Sequence, residues 1–447
     1  MTDVDTGSET RSALEPDVFP PAKGLYRRIQ RTDAWRSVFR HPQLDTPRGR
    51  ALQSFSNVFL HIYPVKVPKR VLKWRYSLRL GFISAVLFFI LVVTGVYLMF
   101  FYTPSVASAY GDMQNLRTGV GFGQLIRNIH RWSAHLMVIV VVVHLARVFY
   151  AGAYKRPRQF NWVIGVGLLV ITLGFSFTGY LLPWDQLSYW AVTVGTNLVN
   201  YLPLVGGAVR DVLIGGSQIG QATLTRFYAL HVAVLPALLV LLLSVHIWRV
   251  RKDGFAVGKA HAGTFAEEAT EPEAAIVLPP TGDGHERVRL LGVVDRESIT
   301  AEERLTDDTV FTWPHLLVRH VVAALGTCAV VLALGVMFAA PLRAIANPQV
   351  TPEPAKAPWY FVGLQELLSR FDPLVAGILV PTGGLVILML LPYIDKNPAT
   401  EARNRKVAVL SFSLLLGIAV VLTVVGALFR GPGWSFVAPW THSYLEL

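Results

Sequence analysis

The sequence predicts an all-α membrane protein with seven transmembrane helices, and three observations support that fold class. Of the 447 residues, 53% are hydrophobic and only 16% are charged, whereas about a quarter of the residues in soluble domains are charged. Seven apolar runs are each long enough to cross a bilayer, which takes about 20 helical residues. Basic residues are concentrated in alternate connections between these runs. Together these observations exclude an ordinary soluble globular protein.

The seven predicted spans fall into two blocks separated by a polar stretch. Their approximate limits are residues 80–101, 127–150, 162–184, 227–248, 315–338, 374–393 and 407–429. The stretch between the fourth and fifth spans is rich in Glu, Pro, Gly and Asp, which is typical of a linker. We therefore predict an N-terminal arm over residues 1–77, a four-helix domain over 78–252, a linker over 253–312 and a three-helix domain over 313–447. The arm is acidic and then basic, and we expect it to be partly disordered.

The loop charges predict which side of the membrane each segment faces. Lysine and arginine are frequent before the first span and after the second, fourth and sixth spans. The positive-inside rule places these four segments, and with them the N-terminus, in the cytoplasm. The opposite side is called the p side. The cytoplasmic excess of basic residues explains the formal net charge of +12. We therefore predict no nucleic-acid partner.

Four histidines inside the spans lie at two depths of the four-helix domain. His130 and His144 are 14 residues apart in the second span, and His231 and His246 are 15 apart in the fourth. At about 100° and 1.5 Å per residue, each pair lies roughly on one helix face, about 21 Å apart. A single intramembrane histidine is equally well a hydrogen-bonded structural residue, but four in register favour two bis-histidine haems. The predicted iron ligands are His130 with His231 on the p side and His144 with His246 on the cytoplasmic side.

Glycines repeat the spacing of the histidines. Gly81 and Gly95 in the first span, and Gly165 and Gly179 in the third, are both 14 residues apart. Small residues are common wherever transmembrane helices pack, but two pairs at the histidine spacing favour a further role. We predict that these glycines let the first and third helices approach the edges of flat macrocycles held between the second and fourth.

Arginines on the p side contradict the orientation rule unless an anion lies nearby. Arg127 and Arg131 flank the first histidine of the second span, and Arg226 precedes the fourth span. Haem propionates would supply that negative charge, so these three arginines are predicted to bind them. Arg147 and Arg249 are explained equally well by the cytoplasmic haem and by the usual cytoplasmic excess of positive charge.

Three further histidines and the one cysteine are assigned structural roles. His135 is five residues from a predicted ligand and is expected to face elsewhere. His315 and His320 begin the fifth span and are expected at the membrane interface, with a role in lining a cytoplasmic-side pocket as the alternative. Cys328 is expected to be an inert core residue. One thiol cannot form an intramolecular disulfide or a four-cysteine iron–sulfur cluster.

Three segments resemble the cytochrome b subunit of cytochrome bc complexes. The run LIRNIHRWSAH at residues 125–135 resembles the start of its second helix. GYLLPWDQ at 179–186 and QATLTRFYALH at 221–231 resemble the region between its third and fourth helices. The chloroplast-type branch is the most similar, although there the four-helix and three-helix parts are separate chains, whereas here they are fused. The resemblance covers roughly residues 67–252 and 313–429.

The resemblance implies quinol oxidation on the p side, quinone reduction on the cytoplasmic side and coupled proton translocation. The implied quinol-site residues are Pro183, Trp184, Trp359 and Tyr360. In the family a Pro-Glu-Trp-Tyr segment lines this site, but here the position of the glutamate is occupied by Pro358. A Lys-Ala-Pro-Trp-Tyr version resembles bacterial members that use menaquinol. Menaquinol is therefore the expected substrate, and a bacterial inner (cytoplasmic) membrane the expected location.

The missing glutamate leaves open which group accepts the proton of the quinol. A base is still needed on the p side, because quinol oxidation releases protons. The candidates are Glu366, Asp185 and Asp372, and we favour Glu366, which lies six residues beyond Tyr360. The alternative for Glu366 is a carboxylate on a helix surface.

The resemblance also implies cofactors and partners. The chloroplast-type branch has an extra haem attached to a cysteine near the start of the first helix, where Tyr76 stands here. We therefore expect two non-covalent b haems and no covalent haem. The expected partners are a Rieske iron–sulfur protein, a c-type cytochrome subunit, the lipid membrane and a second copy of the complex. The chain would then be a subunit of a quinol–cytochrome c reductase.

Two other functions fit parts of the sequence. The cytochrome b anchor of a formate dehydrogenase or hydrogenase also holds haem, but it has fewer spans and no Pro-Trp-Tyr segment. A haem-free proton-coupled transporter fits seven spans, and its histidines would then form a proton path. Haem content distinguishes the transporter from the two cytochromes.

Overall fold

The computed structural model describes residue 32, residues 62–255, 309–352 and 355–429, and residue 436. Most of the predicted arm and linker, including residues 256–308, lies outside these ranges. The predicted partial disorder of the arm therefore falls mostly on residues outside the described ranges. Within the described ranges the chain is mostly helical and contains two strands of three residues each.

Seven helices in the described ranges are long and apolar enough to span a membrane. In chain order they are α1 (Leu80–Met99), α2 (Gly123–Tyr150), α3 (Gln159–Leu181), α4 (Gln221–Asp253), α5 (Thr312–Met337), α6 (Leu374–Ile394) and α7 (Lys406–Leu428). They coincide with the seven predicted spans, so the predicted fold class is confirmed. The largest difference is in α4, which is 33 residues long. The apolar run marks only its centre, because polar residues continue the helix at both ends.

Two of these helices contain a wider π-helical turn shortly before a proline. Leu230–Val234 in α4 precedes Pro236, and Leu374–Leu379 in α6 precedes Pro381. Proline has no amide hydrogen, and its ring clashes with the carbonyl of the turn before it. A widened turn with hydrogen bonds from residue i to i+5 accommodates that defect and one additional residue.

The first four long helices form a bundle around α2. α1 packs along α2, α3 packs along α4, and α2 also contacts α3 and α5. α5 contacts α1 and α6 contacts α3, so the three-helix part packs against the bundle. Large apolar side chains such as Phe89, Val93 and Leu414 remain exposed on the outer faces, as lipid contact requires.

We name the two ends of the bundle by their histidines. The His130 end also contains His231, and the His144 end also contains His246. Short helices cover the His130 end in the α3–α4 connection, where Asp185 begins the helix Gln186–Leu198 by accepting the amide of Ser188 at 2.9 Å. Beneath them lies an apolar cluster of Ala109, Leu181, Trp184, Tyr189, Val192, Ile214, Ile219, Leu224 and Phe227.

A two-stranded ribbon joins the segments that lead into α1 and α5. β1 (Lys66–Pro68) pairs antiparallel with β2 (Thr309–Phe311). The hydroxyl of Thr312 donates to the carbonyl of Pro64, and its amide donates to Val65 at 2.9 Å. The two strands lie in the predicted arm and linker, respectively, where the sequence indicated no strand. The ribbon ties the start of the three-helix part to the start of the four-helix part.

A buried polar cluster joins the α2–α3 and α6–α7 connections at the His144 end. Lys155 forms an ion pair with Asp395 at 2.6 Å, and the hydroxyl of Tyr154 also donates to that carboxylate. Arg405, fully buried, donates to the oxygen of Tyr154 at 2.8 Å and to the carbonyl of Phe149 at 3.0 Å. Burial raises the pKa of Asp395, but hydrogen bonds from Lys155 and Tyr154 outweigh it, so the pKa lies below its usual value.

Candidate functional site

His130 on α2 and His231 on α4 lie opposite each other inside the bundle. Their ring centroids are 6.3 Å apart, and the ring planes cross at 65°. A bond between a metal and an imidazole nitrogen is about 2 Å long, so two rings that share one ion have centroids roughly 6 Å apart. The separation of these two rings therefore fits one iron held between them.

Hydroxyl groups fix the orientation of both rings. Nδ1 of His130 lies 2.9 Å from Oγ1 of Thr94, and Nδ1 of His231 lies 3.3 Å from Oγ1 of Thr178. Metal-ligating histidines usually donate the other ring N–H to such an oxygen. Because Nδ1 of each ring is occupied in this way, Nε2 of each is the nitrogen available to a metal.

The two glycine pairs match the four histidines one to one. On α1, a Cβ atom added at Gly81 would lie 3.2 Å from the ring of His144, and one at Gly95 would lie 3.3 Å from His130. On α3, a Cβ atom at Gly165 would lie 3.6 Å from His246, and one at Gly179 would lie 2.5 Å from His231. At Gly179 such an atom cannot be accommodated. The glycines were predicted to face macrocycle edges, but in the structure they contact the imidazole rings.

The π turn of α4 explains why its histidines are 15 residues apart and those of α2 only 14. His231 lies inside the turn Leu230–Val234, which accommodates one residue more than an α-helical turn. A regular helix would rotate the two pairs about 100° out of register. The π turn removes that offset, so the two histidines of α4 match the two depths on α2.

His144 and His246 form the second pair, about 21 Å further along the bundle axis. Gly81 of α1 faces His144 and Gly165 of α3 faces His246, as Gly95 and Gly179 face the first pair. Unlike the first pair, neither ring has a side-chain partner for Nδ1 within the described residues. The positions that correspond to Thr94 and Thr178, directly before the facing glycines, are occupied here by Leu80 and Ile164. Two neutral imidazoles at each end remain a suitable donor set for haem iron.

Two of the three arginines predicted to bind propionates contact the backbone instead. Arg127 is buried and donates to the carbonyls of Ala340 at 2.8 Å and Pro341 at 2.7 Å. Arg226 donates to the carbonyl of Val212. Arg131 makes no hydrogen bond within the described residues. Arg127 and Arg226 are therefore loop anchors in this structure, and Arg131 is the one of the three with an unbonded guanidinium.

Arg147 and Arg249, which the cytoplasmic haem and the cytoplasmic excess of positive charge explain equally well, also have partners in the chain. Nε of Arg147 donates to the carbonyl of Tyr76 at 3.0 Å, and its guanidinium lies over the Tyr76 ring. Arg249 forms an ion pair with Asp253 at 2.9 Å. Both guanidinium groups therefore have partners within the chain, and a role toward the cytoplasmic haem stays a prediction.

Pro358 begins the short helix that contains the predicted quinol-site aromatics. Its carbonyl accepts the amides of Phe361 at 2.8 Å and Val362 at 3.0 Å, which starts the helix Trp359–Leu368. The residue at the family's glutamate position therefore has a local structural role. The helix packs against α7 along its length.

Trp359 and Tyr360 both contact His135 of α2. The indole N–H of Trp359 donates to Nδ1 of His135 at 2.9 Å, and the Tyr360 ring centroid lies 6.1 Å from that of His135. Burial raises the pKa of Tyr360 to about 12, against an opposing effect of Arg131. His135 was expected to face away from the haem ligands, which it does, but its contact with this segment was not predicted.

The three candidate bases are each engaged within the chain. Glu366 is only 2% exposed, and its carboxylate accepts from Nη2 of Arg370 at 2.8 Å. It is therefore not a surface carboxylate. Asp185 caps a helix, as described above, and Asp372 accepts the amide of Leu374 at 2.8 Å. Glu366 is the most deeply buried of the three, and its carboxylate is paired with a basic side chain.

Pro183 and Trp184 lie in the turn after α3. Trp184 is 5% exposed, has φ of 52° and belongs to the apolar cluster under the α3–α4 connection. Its carbonyl accepts the amide of Ala346 at 3.1 Å. Through this bond Trp184 fixes the segment that follows α5.

Two expectations about other residues of α5 are wrong. Cys328 is exposed on the outer face of the helix and not in the core. His320 is buried and not interfacial, and its ring stacks on Phe82 of α1 at 4.1 Å with an interplanar angle of 5°. Tyr63 lies against the same imidazole at 5.3 Å. No periodic signal in the sequence indicates this cluster, because it joins three separate segments.

Comparisons with known proteins agree with the geometry. The family described as cytochrome b/b6/petB matches residues 64–254, and the one described as cytochrome b(C-terminal)/b6/petD matches residues 345–445. Cytochrome b6 of Synechococcus sp. strain CC9902 is 48% identical over 177 residues, which are 40% of this chain and 81% of that protein. Cytochrome b6 of Tupiella akineta is 47% identical over 177 residues, with 40% and 82% covered.

A solved structure described as a hyperthermophilic respiratory complex III has the same fold. The TM-score is 0.67 at 23% sequence identity, and the match covers 92% of this chain and 93% of that chain. The two family regions are fused in one polypeptide: the first covers α1 to α4, and the second covers α6 and α7. The chain belongs to the cytochrome b/b6 family, as a haem-b-binding membrane subunit of a cytochrome bc-type oxidoreductase complex.

Proposed function

We propose that the chain is the cytochrome b subunit of a quinol:cytochrome c oxidoreductase and holds two b haems without a covalent link. The observation that best supports this is the pairing of His130 with His231 at 6.3 Å, together with a second histidine pair in register with it. When bound, the two haems carry electrons across the membrane. The chain supplies the axial imidazoles, excludes water with apolar helices and fixes the tautomers of His130 and His231.

The His130 end is proposed to face the p side and the His144 end the cytoplasm. Lys155, Arg403, Arg405 and Lys406 lie in the connections at the His144 end, in agreement with the positive-inside rule. The N-terminus is then cytoplasmic. We also propose a bacterial inner membrane as its location, because the segment around Pro358 resembles that of bacterial members.

Quinol oxidation is proposed at the His130 end, beside Trp359 and Tyr360. Menaquinol is the favoured substrate, from the resemblance of the segment around Pro358. Tyr360, whose pKa burial raises to about 12, is a neutral phenol at physiological pH, and a phenol hydroxyl can donate a hydrogen bond to a quinol oxygen. Pro183 and Trp184 support the proposed site by fixing the neighbouring loop.

Glu366 is the proposed acceptor of the quinol proton. Glu366 is buried, whereas the side chain of its partner Arg370 is 47% exposed. The ion pair therefore links the protein interior to the protein surface. A proton accepted by Glu366 would neutralise the carboxylate and weaken its ion pair with Arg370.

Quinol oxidation releases two electrons and two protons, so a second one-electron acceptor is needed beside the haem path. We propose a Rieske iron–sulfur protein, followed by a c-type cytochrome subunit. Quinone reduction at the His144 end would consume protons from the cytoplasm and thereby couple electron transfer to proton translocation. A homodimer of the whole complex is also proposed.

The haem content of the purified protein tests this function. We expect a dithionite-reduced spectrum with a b-type band and two haems per chain in a pyridine haemochrome assay, none of which remains with the chain after acid–acetone extraction. His144→Ala should lower the content to one haem while the chain stays folded. A protein that binds no haem would instead support the transporter alternative, and retention of pigment by the extracted chain would contradict the non-covalent assignment.

A further inference from the structure

Thr94 and Thr178 occupy equivalent positions on α1 and α3. Each directly precedes the glycine that faces a histidine of the first pair, Gly95 or Gly179. Both threonines are buried, at 5% exposure each. The same contact to a ring nitrogen is therefore built twice, from two different helices.

The hydroxyl hydrogens of both threonines are already used within their own helices. Oγ1 of Thr94 donates to the carbonyl of Ile90 at 2.7 Å, and Oγ1 of Thr178 donates to the carbonyl of Gly174 at 2.9 Å. A hydroxyl has one hydrogen and two lone pairs. Each oxygen can therefore only accept from the imidazole, which places the ring proton on Nδ1.

This contact exceeds what helix packing alone requires. Threonine in a membrane helix commonly bonds the carbonyl one turn back, and Thr172 does so at 2.8 Å without any histidine partner. Thr94 and Thr178 make that bond and also accept from a ring. At the His144 end the equivalent residues, Leu80 and Ile164, offer no hydroxyl.

We propose that Thr94 and Thr178 are positioning residues that make His130 and His231 stronger electron donors to a bound iron than His144 and His246. An oxygen that accepts the Nδ1–H bond raises the basicity of the opposite ring nitrogen, as carboxylates and carbonyls do behind metal-bound histidines. A more basic axial ligand stabilises the ferric state, so the hydroxyls lower the midpoint potential of the haem at the His130 end. This inference rests on the proposed haem binding.

Optical redox titration of the whole purified complex tests the inference. Thr94→Val and Thr178→Val keep the shape of the side chain and remove the hydroxyl. We expect each to raise the ratio of reduced to oxidised haem at the His130 end about threefold at a fixed potential, and the double variant about tenfold. A tenfold change corresponds to 59 mV for one electron. The haem at the His144 end should not change.

Matched variants separate this role from a merely structural one. Thr94→Ser retains the hydroxyl and should restore the midpoint potential of the native protein. Ile164→Thr adds a hydroxyl at the equivalent position facing His246, and it should lower the potential of the other haem. If the valine variants bind two haems with unchanged potentials, or shift both haems equally, the inference is wrong. A native protein without b haem would instead overturn the proposed function on which it rests.

Discussion

The indole N–H of Trp359 donates to Nδ1 of His135 at 2.9 Å, across 224 positions of sequence. The bond joins the short helix of the three-helix part to α2, the central helix of the bundle. The bond places the imidazole of His135 next to Tyr360. Tyr360 belongs to the segment in which the family has a glutamate and this chain has Pro358. Since Nδ1 accepts this bond, neutral His135 has its proton on Nε2, which is then a donor toward the proposed quinol site.

Removing this bond should impair quinol oxidation without loss of haem. His135→Leu is expected to lower the turnover of a menaquinol analogue about tenfold, because a hydrogen bond of roughly 1 kcal/mol and a donor beside Tyr360 are lost together. The haem spectrum should match that of the native protein. His135→Gln retains an acceptor and a donor and should recover part of the activity.

A double-mutant cycle tests whether His135 acts through Trp359. Trp359→Phe alone should reduce turnover, and adding His135→Leu should cost little more, because both changes remove the same bond. Fully additive losses would show that the two residues act independently and would contradict the coupling.

The glycines predict a steric asymmetry between the two ends of α3. In Gly179→Ala the new Cβ would lie 2.5 Å from His231, whereas in Gly165→Ala it would lie 3.6 Å from His246, an ordinary contact. Gly179→Ala should therefore lose most of the haem at the His130 end, and Gly165→Ala should keep both haems. Haem quantification on the two purified variants measures this, and equal losses would be the opposite of what the structure predicts.

Glu366 is expected to contribute to proton release and not to haem binding. Glu366→Gln keeps the size of the side chain but removes the charge, so quinol oxidation should slow by at least tenfold while both haems remain. Arg370→Gln serves as the matched control for the ion pair, because it disturbs the same contact but leaves the carboxylate in place. If Glu366→Gln oxidises quinol at the native rate, another group must accept the proton.

The polar cluster at the His144 end predicts how stability depends on pH. Because the pKa of Asp395 is lowered in the folded protein, the ion pair with Lys155 is fully stabilising above the unfolded carboxyl pKa of about 3.9. Its contribution is lost as the pH falls through the lower folded value. Stability from this pair should therefore be constant from about pH 5 to 8. Removing one partner of a buried pair costs about 3 kcal/mol.

Thermal unfolding followed by circular dichroism in detergent measures this contribution. Asp395→Asn should lower the midpoint temperature at neutral pH and should reduce the acid sensitivity of the protein. Glu401→Gln is the control, because Glu401 pairs with Arg403 on the surface, where that arginine is 78% exposed, and surface ion pairs contribute little. Equal destabilisation by the two changes would show that burial of the Asp395 pair has no special effect.

The sequence by itself determined the seven spans and the depth of the four histidines. Apolar runs of about 20 residues have few soluble alternatives, and a helix repeats at a fixed rotation and rise, so spacing along one chain segment fixes face and depth. This is why His130, His144, His231 and His246 could be identified in advance. The predicted spans agree with the helices because helix geometry is local.

Only the tertiary structure decided which side chains meet across helices. The Thr94 hydroxyl on Nδ1 of His130, the bond from Trp359 to His135, and the carbonyl partners of Arg127 all join segments far apart in sequence. The π turn at His231 is likewise invisible to a count based on regular helices. Such contacts depend on the rotation and crossing of packed helices, which the period of one helix does not specify. The spacing of the histidines thus predicted the two depths at which we propose that haems bind, and helix packing determined which groups contact the imidazole rings.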